Sequence, residues 1–107
     1  MPVQSPVKPG DSEGLRSKIL ATKPGEESII LADVKSHLGE SGYATYEQAT
    51  TDTRDVALTG KCIVFLIRGS FEVGQENIHG NGLAYPVEDE SSIRLQQKTV
   101  VVIIKKN

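Results

Sequence analysis

The sequence has one cysteine and no tryptophan, and each scarcity excludes a chemistry. Cys62 alone supports neither an intrachain disulfide framework nor a cysteine-based zinc cluster, so nothing calls for an oxidising compartment. Aromatic residues make up 5% of the chain. That is too few for the stacking platform of a single-strand nucleic-acid binder or the aromatic anchors of a small-molecule pocket. An excess of one charge is lacking too. The 12 Lys and Arg stand against 14 Asp and Glu, a formal net charge of −2 at pH 7, and no global field draws the protein to nucleic acid or anionic membrane. No apolar stretch approaches the ~18 residues of a membrane span, and Met1-Pro2-Val3-Gln4-Ser5-Pro6 has neither the cationic opening nor the apolar run of a secretory signal. The expectation is a soluble, intracellularly made protein with no nucleic-acid or membrane partner.

What is present suffices for one domain and an arm. A chain of 107 residues buries roughly 65% of its unfolded surface, enough for a core but not for a large cavity inside it. Residues 1–13 contain prolines at 2, 6 and 9, each of which removes a backbone donor and biases its predecessor toward extended conformation. They are predicted to form an extended N-terminal arm ahead of a domain over residues 14–107. Pro6-Val7-Lys8-Pro9 matches the loose P-x-x-P pattern of polyproline ligands, a match that proline-bearing tails produce by chance.

Asp11 or Ser12 is placed to cap a short helix through Leu15, Ile19 and Leu20, which Lys23-Pro24-Gly25 ends. Ser28-Ile29-Ile30-Leu31-Ala32-Asp33-Val34 is rich in Ile and Val and predicts a buried strand, although periodicity alone does not separate it from a helix of that length. Residues 36–60 hold five Thr, three Gly, four acids and one Arg. They read as a polar excursion: a long exposed loop with a weak strand at Tyr43-Ala44-Thr45-Tyr46, or a hairpin.

The apolar run Cys62-Ile63-Val64-Phe65-Leu66-Ile67, closed by Arg68 and Gly69, predicts a central strand covered on both faces. Ser70-Phe71-Glu72-Val73 alternates like a half-exposed strand. Leu83-Ala84-Tyr85 predicts a brief strand stopped by Pro86, and Glu88-Asp89-Glu90-Ser91-Ser92 a solvated acidic loop. Ser92-Ile93-Arg94-Leu95-Gln96 alternates again. The β-branched run Thr99-Val100-Val101-Val102-Ile103-Ile104 fits a pleated sheet far better than a helix, and must be paired or covered, with Lys105 and Lys106 as gatekeepers. The expected fold is mainly β, a β-rich α+β domain of small-barrel or sandwich-like form with one short helix.

Candidate chemistry is sparse. A nucleophile would be Cys62 or one of many Ser or Thr, with His37 or His79 as base, but Cys62 opens a dry strand and both histidines sit in loop-like sequence. Gly80-Asn81-Gly82 precedes Leu83-Ala84-Tyr85-Pro86, which opens no helix, so it reads as a tight turn and not a phosphate loop. Glu88-Asp89-Glu90 lacks the alternating oxygen donors and glycine of a calcium loop. No catalytic, cofactor or metal site is expected.

One arrangement points to a family. The strand running into Arg-Gly and then a hydrophobic residue, Ile63-Val64-Phe65-Leu66-Ile67-Arg68-Gly69-Ser70-Phe71-Glu72-Val73, resembles a segment of the head decoration (capsid cement) proteins of tailed bacteriophages related to phage lambda. Ile29-Ile30-Leu31-Ala32-Asp33-Val34 looks like the strand those proteins place before it. In the family a short turn joins these two strands, whereas here a longer polar stretch intervenes, and the strand from Thr99 replaces a small, alanine-rich end. The resemblance implies a non-enzymatic structural protein that sits as a homotrimer on the capsid surface of a virion. It would bind the major capsid protein through its arm and one domain face, with Pro2, Val3, Pro6, Val7, Pro9, Arg68 and Phe71 as interface residues. The alternative is a small β-barrel adaptor that takes a partner protein or peptide on the 36–60 loop.

Overall fold

The structure is a computed structural model and describes residues 5–23, 25–39, 42–58, 60–88 and 92–105. The chain runs α1 (Ser12–Leu20), α2 (Glu27–Leu38), β1 (Tyr43–Ala49), β2 (Arg54–Ala57), β3 (Cys62–Arg68), β4 (Phe71–Val73), β5 (Glu76–Ile78), β6 (Ala84–Val87), β7 (Ser92–Leu95) and β8 (Thr99–Lys105). A first antiparallel sheet has the order β1-β8-β3-β6 and a second the order β2-β7-β4-β5. With the helices they make a mostly β, three-layer α+β molecule, and neither sheet closes into a barrel.

The layering explains the two long apolar runs. On β3, Ile63, Phe65 and Ile67 meet the helices, while Cys62, Val64 and Leu66 meet the second sheet; on β8, Val100, Val102 and Ile104 face the helices, and Val101 and Ile103 the second sheet. Both faces of the first sheet are dry, so its inner strands have no polar alternation. The second sheet has one solvated face, and β4 and β7 alternate accordingly.

The two sheets share their strands. Three pairs of strands, β1 with β2, β8 with β7 and β3 with β4, each run from the first sheet into the second in the same lateral order. The molecule is three bent strands folded over one corner, with β6 and β5 added on one flank, beside β3 and β4. At the corner a register shift between Leu66 and Arg68 bends β3. Gly69, at φ 94°, then passes so close to Thr99 that a Cβ would lie 2.8 Å from its Cα. Only glycine fits there.

The first helix is where the sequence places it, though it starts at Ser12, inside the range assigned to the arm. Asp11 stands at the cap position in left-handed conformation without a side-chain cap bond, and Ser12 Oγ instead donates to the Gly82 carbonyl at 2.7 Å. Arg16 Nε donates to the Ile67 carbonyl at 2.7 Å, so α1 is tied to the end of β3. The strand expected at 29–34 is the helix α2, which makes two helices where one was expected. Ile30 and Val34, one helical turn apart, are buried against the sheet, while Ile29 is 78% exposed. Glu27 in the first turn and Lys35 in the last complement the helix dipole, and Gly39 at φ 70° closes the end.

Residues 36–60 are not a loop. They hold the end of α2, the strand β1, which extends the expected Tyr43–Tyr46 segment to Ala49, and β2. The two strands do not form a hairpin but are edge strands of different sheets, and the connection between them spans only 50–53. Pro86 does not stop β6; it sits within it, opposite Ile63. Of the acidic stretch, Asp89, Glu90 and Ser91 lie outside the described residues.

Candidate interaction site: the arm and the sheet edges

The arm is laid along its own domain. Val7 exchanges two backbone hydrogen bonds with Ala84, N–H to carbonyl in each direction at 2.8 Å, and so adds one residue of strand to the outer edge of β6. Prolines limit this ladder. In an antiparallel continuation Ser5 would face Pro86, whose nitrogen points outward like that of Ala84 and has no hydrogen to give. Pro6 is exposed, Pro9 is buried, and the Val7 side chain is 56% exposed. Pro2 and Val3 lie outside the described residues.

The remaining two residues of the expected interface separate. Arg68 is exposed at the end of β3. Phe71 is 0% exposed: it belongs to the core between the sheets and meets Tyr85 edge-on, with ring centroids 5.8 Å apart and planes at 77°. A side chain so placed has no surface to offer, so Phe71 is a packing residue and not a contact residue. The Tyr85 hydroxyl, in turn, donates to the His79 carbonyl. Burial raises the pKa of Tyr85.

The residues weighed for catalysis do not converge. Cys62 is buried at the start of β3, facing the second sheet. His37 lies in the last turn of α2, across the first sheet from Cys62, its Nδ1 2.9 Å from the Asp33 carbonyl, and His79 follows β5. No group of three or more His, Cys, Asp or Glu side chains among the described residues is arranged to hold a metal ion. No described helix is long and apolar enough to cross a membrane. A groove of about 630 Å3 follows α1 and α2, with the Lys18–Asp33 pair on its wall at 3.4 Å and the exposed Ile29 at its rim.

The edges differ in how they are defended. Because the backbone groups of Ala84 face Val7, those of Tyr85 face β3, and the alternation carries across the sheet: Val64 faces β6, Phe65 faces β8, Val102 faces β3, Val101 and Ile103 face β1. On β1 this leaves the N–H and C=O groups of Ala44, Tyr46 and Gln48 directed outward. The Gln48 carbonyl confirms it, since it accepts from Arg54 Nη1 at 3.2 Å. The same guanidinium pairs with Glu47 at 2.7 Å. Burial raises the pKa of Tyr46, against a lowering by Arg68 and with a smaller rise from Glu27. Arg54, Glu47 and the outer groups of β1 carry no signal in the sequence, where a polar, Thr-rich stretch masks the second half of an edge strand that is mostly half-buried.

The outer face of the second sheet is a polar cross-strand row, with Asp55 opposite Arg94 and Arg94 opposite Glu72. Arg94 Nε donates to Asp55 Oδ1 at 2.8 Å, and this hydrogen bond, with the charge attraction behind it, holds the Asp55 carboxyl below its ordinary value. Comparison of the chain with protein-family models, with curated proteins and with solved structures finds no match.

Proposed function

We propose that this chain is a non-enzymatic structural protein that decorates the outer surface of a viral capsid lattice. On this reading it binds the major capsid protein through its N-terminal arm, as a trimer in the virion, and stabilises the shell. The reading takes its partner from the resemblance around Arg68-Gly69. Its physical support is the reciprocal Val7–Ala84 pair: the arm already behaves as an edge strand, and among the described residues its ladder is one residue pair long. A strand held by so short a ladder gives up little when it exchanges its own edge for a partner's, where main-chain bonds supply affinity and side chains such as Val7 supply fit. The ordering cost per copy is offset by repetition across a lattice.

The test mixes the full chain, and a chain beginning at Lys8, with heads of a lambda-like phage lacking their own decoration protein. The full chain is expected to co-sediment with the heads and raise their resistance to heat. The shortened chain, folded by circular dichroism, is expected to do neither. Failure of the folded full chain to bind overturns the proposal.

A further inference from the structure

Of the four sheet edges, three are guarded. β6 carries Val7 and Pro86, β5 is 3 residues long, and β2 has 4 residues with Arg54 and Asp55 among them. Short, charged or proline-bearing edges resist pairing with another chain. β1 differs: it has 7 residues, contains no proline, and carries one charge, Glu47, already neutralised by Arg54. No described strand pairs with its outer edge, where the Gln48 carbonyl is held by the Arg54 side chain. Tyr43 beside it is 68% exposed.

We infer that β1 is a docking edge for a second copy of this chain, the two β1 strands pairing antiparallel about a twofold axis at Tyr46 to join the first sheets into one continuous sheet. The outward groups of Tyr46 exchange hydrogen bonds with those of Tyr46 in the second copy, and the N–H of Gln48 reaches the carbonyl of Ala44. The reverse bond, from Ala44 N–H to the Gln48 carbonyl, takes the place that Arg54 Nη1 now holds.

The choice of occupant rests on charge and shape. In this register Glu47 stands opposite Thr45 and not opposite another acid, and the uncharged pairs Ala44–Gln48 and Tyr46–Tyr46 line the helix side. Ala44 is small, and beside it Ser28, Leu31, Ala32, Lys35 and Tyr43 border a groove of about 320 Å3. The second copy's Tyr46, diagonal to Ala44, lies over that groove. Such a pair closes at two copies, so it is a different contact from the threefold that capsid decoration implies.

Sedimentation equilibrium of the full chain over a wide concentration range tests this without any capsid, so its outcome is separate from that of the capsid experiment. The native chain is expected to show a monomer–dimer equilibrium. Gln48→Pro removes one outward N–H at an exposed edge position and leaves the ladder to β8 intact. It is expected to weaken dimerisation about tenfold or more, as loss of a hydrogen bond in each half of the contact requires, with an unchanged circular dichroism spectrum. If that variant fails to fold, a Thr45→Cys, Glu47→Cys double variant takes its place. These positions form a non-hydrogen-bonded cross-strand pair in the proposed register, within disulfide reach, so a covalent dimer is expected on oxidation. A native chain that stays monomeric throughout, a dimer indifferent to Gln48→Pro, or no cross-link in the double variant overturns the inference.

Discussion

Thr99 and Ser70 lock the corner of the fold from both sides of one residue: Thr99 Oγ1 donates to the Ser70 carbonyl at 2.8 Å and accepts from the Ser70 N–H at 3.2 Å. Thr99 is fully buried, and the Ser70 carbonyl also accepts from Gln96 N–H at 3.1 Å. Thr99→Val keeps the shape and loses the hydroxyl, leaving the Ser70 N–H without its acceptor. It is expected to cost about 1–3 kcal/mol in urea unfolding, as for other buried groups left unsatisfied. Thr99→Ser, which retains the oxygen, is expected to lose less.

Gly69 is the other half of the same joint. An alanine there would have to hold φ 94° and place its Cβ against Thr99 Oγ1 and 2.8 Å from the Thr99 Cα, which is backbone and cannot swing away. Strain and overpacking together predict a loss of about 2–4 kcal/mol for Gly69→Ala. Gly25→Ala, also at positive φ but with nothing within 4 Å of a Cβ, is expected to lose less. Thermal unfolding of the two variants side by side makes the comparison.

The Asp55–Arg94 pair predicts a pH dependence of known sign. Arg94 lowers the Asp55 pKa in the folded state, so the pair's contribution is present above the ordinary carboxylate value and is lost as pH falls through the lowered one. The stability difference between the native chain and Asp55→Asn is therefore expected to be constant near neutrality and to shrink from about pH 4 downward. The pair is solvent-exposed. Added salt is expected to reduce the difference wherever Asp55 is ionised. Urea titrations across pH and ionic strength decide it.

The arm makes a prediction about one amide. Ala84 N–H is bonded to the Val7 carbonyl, whereas the backbone groups of Tyr85 face inward to β3. In a chain beginning at Lys8, hydrogen exchange at Ala84 is expected to accelerate to the rate of an open edge while Tyr85 stays protected. Equal protection of Ala84 with and without the arm would remove the pairing.

Where the sequence was legible, burial was symmetrical or strictly alternating. β3 and β8 lie between two dry layers and are written as unbroken apolar runs, and β4 and β7 have one wet face and alternate. α2 reads as a strand because Ile29, Ile30 and Leu31 form a continuous run, yet Ile29 turns its side chain to solvent; the spacing of Ile30, Val34 and Leu38 is the helical signal. β1 and β2 were obscured for the opposite reason. At the edges of their sheets they bury little: only the Tyr43–Tyr46 half of β1 shows in the sequence, and the rest of β1 and all of β2 are defined by pairing with β8 and β7. Of the arm's contact residues, Val7 was legible as extended, but its attachment to Ala84 depends on a distant edge that no local pattern discloses. Phe71 sits beside the Arg68-Gly69 turn in sequence, yet the corner swings it inward onto Tyr85.

The shared strands have a consequence for how the protein comes apart. Each of the three bent strands contributes one half to each sheet, so no sheet owns a set of strands that it can release alone. Loss of pairing between β7 and β4 tugs through residues 96–98 and Gly69 on β8 and β3, the centre of the other layer. The two sheets are therefore one cooperative unit, and native and unfolded chains are the only species expected along an equilibrium unfolding curve.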